Sequence, residues 1–329
     1  MPVEWKGVSS TSSGRASHWG GGLVHWDDVE AHHRQLGHLS ARWRDLGSAA
    51  GTVAAGVKRI EVDPGKWSTP AHCEGAEEEI FYVLGGSGLS WQDEQVYEVG
   101  EGDCIVHLPA AEVHTLRAGP DELDVLAFGT RVGVQIGELP RAGVGWLGPT
   151  WAEVGKEPAP WLREVAIGEP QVGEPAERPA NIVNVSDEHV DGGAFLGAAA
   201  GSKRAGLNHG RLEPGELSAP PHCHSAEEEI FVVLRGEGTL ELTPSPLARS
   251  RGATDEQHPL RRGSVVARPA GTKIAHALRA GGGGLTYLAY GTREPNDIAY
   301  YPRSNKVYLR GVGLIGRVEP LDYWDGEPE

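Results

Sequence analysis

Two stretches of this chain carry nearly the same sequence: HCEGAEEEIFYVLGGSG begins at His72, and HCHSAEEEIFVVLRGEG begins at His222. They lie 150 residues apart, and 12 of their 17 positions are identical. In both, ionisable side chains precede a short apolar run that ends at glycine, which is typical of a β-strand. A repeat of this length indicates a duplicated domain and not a short-period solenoid.

The repeat continues on both sides of these stretches. Upstream, residues 46–51 match residues 196–201 at the same spacing. Downstream, LAFGTR from Leu126 matches LAYGTR from Leu288 at a spacing of 162 residues. The change of spacing indicates an insertion in the second copy, within a Pro/Ser/Arg-rich stretch that is typical of a surface loop.

Length and composition favour two β domains. The chain has 329 residues, 47 glycines and 23 prolines, and its apolar runs are short. Many short strands with frequent turns predict a small barrel or sandwich in each half. We predict an N-terminal barrel over 1–150, an acidic, Pro-rich and mostly extended connector over 151–180, and a C-terminal barrel over 181–329. Residues 27–46 are the best helix candidate, with Asp27 or Asp28 as N-cap.

Charge and hydropathy exclude several classes of partner. The net charge of −16 makes nucleic acid an unfavourable ligand. Nowhere do 18 consecutive apolar residues occur, so we expect no membrane span. The N-terminus lacks the apolar run of a signal peptide, and three cysteines are too few for a disulfide scaffold. We therefore expect a cytoplasmic protein.

The second copy carries four side chains that can converge on one metal ion. His222 and His224 end a Pro-Pro extended segment, and residues two apart on a strand face the same side. Glu229 follows across a predicted turn, which returns its carboxylate to the same cavity. His276 follows a Pro-x-Gly turn and is the natural fourth ligand. Three imidazoles and one carboxylate suit Mn, Fe, Ni, Cu, Co or Zn.

This arrangement resembles the cupin superfamily, whose pattern is Gly, His-x-His, Glu, Gly, and later Pro-x-Gly and a histidine. Gly215, His222, His224, Glu229 and Gly236 stand at the corresponding positions, and the spacing to the second glycine selects the last of three glutamates. Because both copies carry the pattern, the chain is similar to bicupins. The resemblance implies an all-β fold of two tandem double-stranded β-helix, or jelly-roll, barrels with few short helices.

The first copy matches the cupin pattern at His72, Glu79 and His114, but Glu74 stands where the second histidine belongs. A site of two His and two Glu is harder and more anionic, and would prefer Mn, Fe or Mg over Cu. The alternative is a degenerate first site that holds no metal. We expect a divalent transition metal, with Fe or Mn favoured over Ni, Zn, Cu or Co, and the second copy as the better candidate for chemistry.

Other residues of the repeat have structural interpretations. Strand alternation turns Cys73 and Cys223 away from the cavity, as small buried residues. The histidines outside the two motifs, His107 among them, are predicted to be structural, surface or turn residues. The remaining motif acids are interpreted as solvated turn residues, with a general acid–base role as the alternative. These acids are Glu77, Glu78, Glu227 and Glu228.

A tyrosine- and cation-rich run near the C-terminus has no full counterpart in the first copy. Its simplest interpretation is an edge strand with packed rings. The asymmetry also suggests a hypothesis in which Arg303 or Lys306 binds an anionic substrate at the second site.

A cupin fold does not by itself determine function. The leading hypothesis is a metal-dependent, dioxygenase-like oxidoreductase of a small organic molecule, with Glu229 as a ligand that can also loosen to take a proton. The alternatives are a non-redox isomerase, decarboxylase or lyase, and a non-catalytic binding protein. Gentisate-type dioxygenases generally lack the motif glutamate, and oxalate decarboxylase-like bicupins normally keep His-x-His in both domains. Family habit also makes a homodimer an expected state.

Overall fold

The computed structural model describes residues 19–148, 150–153, 160–188, 192–321 and 324–327. Most of them form strands, which are numbered here along the chain. The strands before residue 154 are β1 (Gly22–His25), β2 (His32–Leu36), β3 (Leu39–Asp45), β4 (Ala55–Val62), β5 (Cys73–Glu74), β6 (Glu79–Gly85), β7 (Ser87–Gln92), β8 (Gln95–Gly100), β9 (Asp103–His107), β10 (His114–Ala118), β11 (Leu123–Thr130), β12 (Ile136–Leu139), β13 (Val144–Leu147) and β14 (Thr150–Glu153).

The second half repeats the arrangement with longer strands and a few short helices. Its strands are β15 (Ile182–Asn184), β16 (Gly193–Ala194), β17 (Ala205–Leu212), β18 (Cys223–His224), β19 (Glu229–Pro244), β20 (Glu256–Arg261), β21 (Ser264–Arg268), β22 (Ile274–Thr292), β23 (Ile298–Tyr301), β24 (Lys306–Leu309) and β25 (Leu314–Arg317). The α-helices are α1 (Leu46–Ala50), α2 (Pro160–Ile167), α3 (Leu196–Ala199) and α4 (Pro246–Ser250).

Each half folds into a barrel of antiparallel strands. In the first, a seven-stranded sheet of order β15-β9-β6-β11-β4-β3-β2 is joined by a three-stranded sheet of order β10-β7-β8. In the second, the order is β1-β21-β19-β22-β17-β16, with β20 on β19. A four-stranded sheet in each half, β14-β13-β12-β5 or β18-β23-β24-β25, carries part of the motif. The predicted all-β fold of two tandem barrels is confirmed.

Two motif glycines allow the sheets to pack closely. Gly86 and Gly236 both have φ of +79°, a left-handed conformation that favours glycine. A Cβ atom on Gly86 would collide with the carbonyl oxygen of Glu122, and one on Gly236 with that of Gly284. The glycine that ends each apolar run is therefore required by both conformation and space.

The two halves exchange strands. β1 precedes the first barrel in the chain but pairs with β21 of the second, with Leu23 opposite Val266. β15 precedes the second barrel but pairs with β9 of the first, with Ile182 opposite Ile105. The domain boundaries at 150 and 180 stay a prediction, and strand pairing crosses between the halves in both directions.

A hydrophobic core lies between the barrels, in addition to a core inside each of them. The rings of Phe128 and Tyr290 stack there, with centroids 5.2 Å apart and planes 16° apart. Buried aliphatic side chains from both halves surround the two rings. They include Leu46, Val57, Ile80, Leu126, Leu196, Leu207, Ile230 and Leu288.

Two glutamates of the repeated AEEE motif join the halves at this interface. The Glu228 carboxylate accepts hydrogen bonds from the backbone N–H groups of residues 53–55. Glu78 does the same for residues 203–205 and also accepts one from the Ser202 hydroxyl. Both side chains are buried, so the prediction that they are solvated is wrong. Several backbone donors per carboxylate make this burial tolerable.

The predicted helix over 27–46 is also wrong. Helical structure is limited to the single turn Trp26–Asp28 and to Leu46, which begins α1, and residues 32–45 form the hairpin of β2 and β3. Leu36 pairs with Leu39 across a tight turn in which Gly37 has φ of +59°, a conformation that a helix excludes. β3 is held by its pairing with β4, a tertiary contact that overrides the local pattern.

The connector contains more regular structure than predicted. Most of β14 and all of the helix α2 lie within 151–180, so an extended path is wrong over Pro160–Ile167. The Trp161 ring lies 6.0 Å from that of Trp43, and the Arg34 guanidinium lies over it at 4.5 Å. These contacts anchor α2 on the first barrel. Among the helices of the described segments, none has the length and apolar character needed to cross a membrane.

We expect Glu228→Ala to lower the free energy of unfolding by about 3 kcal/mol, because each buried donor left without a partner costs roughly 1–3 kcal/mol. Urea denaturation followed by circular dichroism measures the change. Glu177→Ala, at an exposed position, is the matched control. A loss below about 1 kcal/mol, which is ordinary for a point substitution, would contradict the role of Glu228 at the interface.

Candidate metal centre

Strand pairing brings the four predicted residues of the second copy to one place. His222 and His276 exchange backbone hydrogen bonds in an isolated bridge, with N···O distances of 3.3 and 2.9 Å. His224 lies in β18, two residues further on, and Glu229 begins β19 after the turn. The parity of His222 and His224 therefore directs both rings to one side, as the sequence predicts.

The side-chain atoms of this cluster converge on one carboxylate oxygen. Glu229 Oε2 lies 2.9 Å from His276 Nε2, 3.2 Å from His224 Nε2 and 4.0 Å from His222 Nε2. Glu229 Oε2, His276 Nε2 and His224 Nε2 are buried, and none of them has a hydrogen-bond partner in suitable geometry. A cation bound between them would satisfy these atoms. The donor set therefore fits a divalent transition metal.

Burial and close contacts determine the protonation of this cluster. Burial raises the pKa of Glu229, but the adjacent His224 and His276 outweigh it and hold the pKa well below its usual value. Burial lowers the pKa of His276 to about 3, so this ring is neutral near pH 7. Burial lowers the pKa of His224, but Asp297 and Glu229 outweigh it and raise the pKa to about 10. A metal bound at His224 Nε2 would therefore displace a proton, whereas Glu229 and His276 already have the forms that bind a metal.

Asp297, which the sequence analysis did not single out, contacts the candidate ligand His224. Its buried carboxylate lies 2.7 Å from His224 Nδ1 and also accepts backbone hydrogen bonds from Ala226 and Glu227. Burial raises the pKa of Asp297, but these hydrogen bonds outweigh it and lower the pKa. The only sequence signal for Asp297 is its position in the repeat, nine residues after Leu288.

The first glutamate of each AEEE motif is also less solvated than predicted. Glu227 is buried, pairs with Arg310 and accepts a backbone hydrogen bond from Glu294 at 3.1 Å. Glu77 is half-buried and accepts one from Val132 at 3.3 Å. Burial raises the pKa of Glu227 to about 7. An acid–base role for it stays a prediction.

The first barrel builds an equivalent cluster with one different ligand. Glu79 Oε2 lies 3.1 Å from His114 Nε2 and 3.5 Å from His72 Nε2. Glu74 stands in place of His224, and its Oε1 lies 3.9 Å from His72 Nε2. Burial, together with the charge of Glu79, raises the pKa of Glu74 to about 8. The structure thus brings His72, Glu79 and His114 into one group of potential ligands, with Glu74 beside His72.

The two barrels also differ at the residue that pairs with the motif glutamate on the neighbouring strand. His107, opposite Glu79 in the ladder, is buried and stacks on His114 with ring centroids 3.7 Å apart. The prediction of a surface or turn residue is wrong for it, because β9 lies in the barrel wall. Arg268 takes this place opposite Glu229 in the second barrel and is also buried.

The two candidate substrate-binding cations lie differently. Lys306 Nζ lies 5.0 Å from the ring centroid of Tyr301, and that ring stacks on His222 with centroids 5.5 Å apart. Lys306 is thus connected to the second cluster through one ring, and within the described chain no carboxylate forms an ion pair with it. Arg303 instead pairs with Glu241 at 3.2 Å.

Comparison with known proteins agrees with this architecture. A family model described as a cupin domain matches residues 58–128 and again residues 208–288. Each match contains the motif glutamate of its barrel. None of the curated proteins matches the chain in sequence.

Solved structures align over most of the chain. An oxalate decarboxylase of Bacillus subtilis, described as having Mn(II) centres, aligns with 84% of this chain and 79% of its own, at 15% identity and a TM-score of 0.57. An oxalate decarboxylase of Lactobacillus farciminis, in a formate complex, aligns with 83% and 86%, at 11% identity and a TM-score of 0.55. At these identities the likeness is one of fold.

We expect His276→Ala to weaken Mn²⁺ binding at the second cluster by more than about 100-fold, since a lost ligand costs more than the 10–100-fold of an outer partner. Equilibrium dialysis with elemental analysis measures the bound metal. His258→Ala, which removes a half-buried histidine paired with Glu256, is the control and should bind as the wild type does. Unchanged binding in His276→Ala would contradict the assignment of this ligand.

Proposed function

We propose that this chain, each half of which matches a cupin domain, is a metal-dependent decarboxylase of a small carboxylate. The observation that carries the proposal is the second cluster, where two imidazole nitrogens and a carboxylate oxygen are buried and face one another without hydrogen-bond geometry. When bound there, a divalent ion supplies Lewis-acid polarisation to a coordinated carboxylate. Mn²⁺ is the first ion to test, because it is named for a structural neighbour.

The residues around the cluster suit a small anionic substrate. The cluster lies inside the barrel, and the side chains of His222 and Glu229 are only 15% and 20% exposed, which limits the size of a ligand. We propose that Lys306, beside the Tyr301 ring, binds the second anionic group of the substrate. Loss of CO₂ leaves the electron pair of the broken C–C bond on carbon, where a proton from solvent replaces CO₂.

Arg303 is the weaker of the two cation candidates. Its guanidinium is already paired with Glu241 and donates a hydrogen bond to Thr243 at 3.3 Å. We propose that it holds the turn between β23 and β24 and so orients Lys306. The predicted role of Glu229 as a proton acceptor remains a further proposal. The low pKa of Glu229 favours its anionic form, which is the form that binds a metal.

The fold comparison favours the decarboxylase over the oxygenase hypothesis. Two structural neighbours that align over most of both chains are oxalate decarboxylases. Both copies here also keep the motif glutamate, Glu79 and Glu229, that gentisate-type dioxygenases generally lack. The dioxygenase-like interpretation is not confirmed and serves as the competing outcome in the test.

The test supplies the Mn²⁺-loaded protein with oxalate and a panel of small mono- and dicarboxylates. CO₂ release and O₂ consumption are measured together. We expect CO₂ without stoichiometric O₂ consumption, and loss of this activity in His224→Ala. One O₂ consumed per turnover would favour an oxygenase. A thermal shift with ligand and no turnover would favour a binding protein.

We expect Lys306→Gln to raise KM for the preferred carboxylate about tenfold, the equivalent of about 1.4 kcal/mol, with a smaller effect on kcat. Steady-state kinetics at fixed Mn²⁺ measures both constants. Lys203→Gln, an exposed lysine at the interface between the halves, is the control. An unchanged KM in Lys306→Gln would remove this residue from the binding site.

A further inference from the structure

The two clusters differ at two linked positions. One is the ligand itself, Glu74 in the first barrel and His224 in the second. The other is the residue that precedes the equivalent strands β12 and β23, Gln135 in the first barrel and Asp297 in the second. Glu74 pairs with Gly137 and His224 with Ala299, so the positions are equivalent in the fold as well as in the repeat.

In the second barrel the partner can only accept hydrogen bonds. One oxygen of Asp297 accepts the backbone N–H groups of Ala226 and Glu227 at 2.9 and 3.1 Å. The other lies 2.7 Å from His224 Nδ1. In the neutral ring this oxygen accepts the hydrogen bond of Nδ1–H, and the lone pair is then on Nε2, which lies 3.2 Å from Glu229 Oε2.

In the first barrel the direction of the hydrogen bond is reversed. Gln135 Oε1 accepts the backbone N–H of Ile136 at 3.0 Å, which determines the orientation of the amide. Its Nε2 therefore donates to Oε2 of Glu74. The other oxygen of Glu74 then faces His72 and the cluster. The partner is a donor where the ligand is a carboxylate and an acceptor where the ligand is an imidazole.

We infer that both barrels are metal sites, and that Gln135 and Asp297 are the positioning residues that make Glu74 and His224 ligands. This inference rests on the metal dependence in the proposed function. A mixed pair would fail in either barrel: an aspartate opposite Glu74 would set two carboxylates against each other, and an amide donor opposite His224 would force its proton onto Nε2. A first barrel that had lost its metal site would not need a hydrogen-bond donor opposite Glu74. The presence of Gln135 there therefore indicates that Glu74 replaces histidine as a ligand.

The charge of each ligand set also indicates which class of cation each barrel binds. His72, His114, Glu74 and Glu79 carry two negative charges when both acids are ionised, whereas the three-imidazole cluster carries one. Hard cations that prefer carboxylate oxygen, such as Mn²⁺ and Mg²⁺, suit the first site. The imidazole-rich second site also accepts Zn²⁺, Ni²⁺ or Co²⁺.

The test uses two isosteric variants of the full chain, Gln135→Glu and Asp297→Asn. Metal-free protein is titrated with Mn²⁺, and bound and free ion are measured by electron paramagnetic resonance. We expect two ions per wild-type chain and a loss of affinity of about 10–100-fold at one site in each variant, as for outer partners of metal ligands. Losses at different sites should add in the double variant.

Matched controls separate positioning from charge and from folding. Gln257→Glu and Asp121→Asn make the same chemical changes at exposed positions and should bind as the wild type does. Circular dichroism and thermal unfolding identify a variant that fails to fold. Glu74→Gln combined with Gln135→Glu restores a donor opposite an acceptor and should bind Mn²⁺ more tightly than Gln135→Glu alone.

Three results would overturn the inference. One ion per chain, lost in His224→Ala and unaffected by Gln135→Glu, would make the first barrel structural and leave the proposed function intact. Two ions with unchanged affinity in both isosteric variants would remove the positioning role. No Mn²⁺ binding to the wild type would overturn both the inference and the metal-dependent function.

Discussion

Two buried carboxylates, those of Glu78 and Glu228, form the contact on which the rest of the molecule depends. Each satisfies consecutive backbone N–H groups of the opposite half, at residues 203–205 and 53–55. The next residue in each case, Glu79 or Glu229, begins a strand and belongs to a cluster that could hold a metal ion. Because adjacent side chains on a strand face opposite sides, one points into the interface and the other into the barrel.

The two duplicated halves share their fold but differ in the side chains of their clusters. The interface is nearly symmetric, with Phe128 stacked on Tyr290 and one exchanged strand on each side. The clusters are not symmetric, since one contains three imidazoles and the other two. The change from histidine to glutamate is accompanied by a partner of opposite hydrogen-bond character. Such pairing is what a buried ligand requires, because a buried polar group without a partner is costly.

Much of the candidate site could be predicted from the sequence. Spacing and strand parity single out His222, His224, Glu229 and His276, and Glu229 Oε2 lies within 4.0 Å of a ring nitrogen of each histidine. Sequence reasoning missed Asp297, 73 residues from His224, because its contact depends on the pairing of β18 with β23. It also interpreted Glu227 as solvated, since a run of glutamates is usually a surface feature.

The sequence by itself determined the duplication, the all-β barrels and the candidate ligands, because local patterns of period two and glycine-terminated runs do not depend on distant contacts. Only the tertiary structure decided which strands the two halves exchange and which glutamates are buried. It also decided that residues 32–45 form a hairpin and not a helix. These features depend on pairing between residues far apart in the chain. The free energy of such pairing comes from burial and shared hydrogen bonds, and neither is encoded in one local segment.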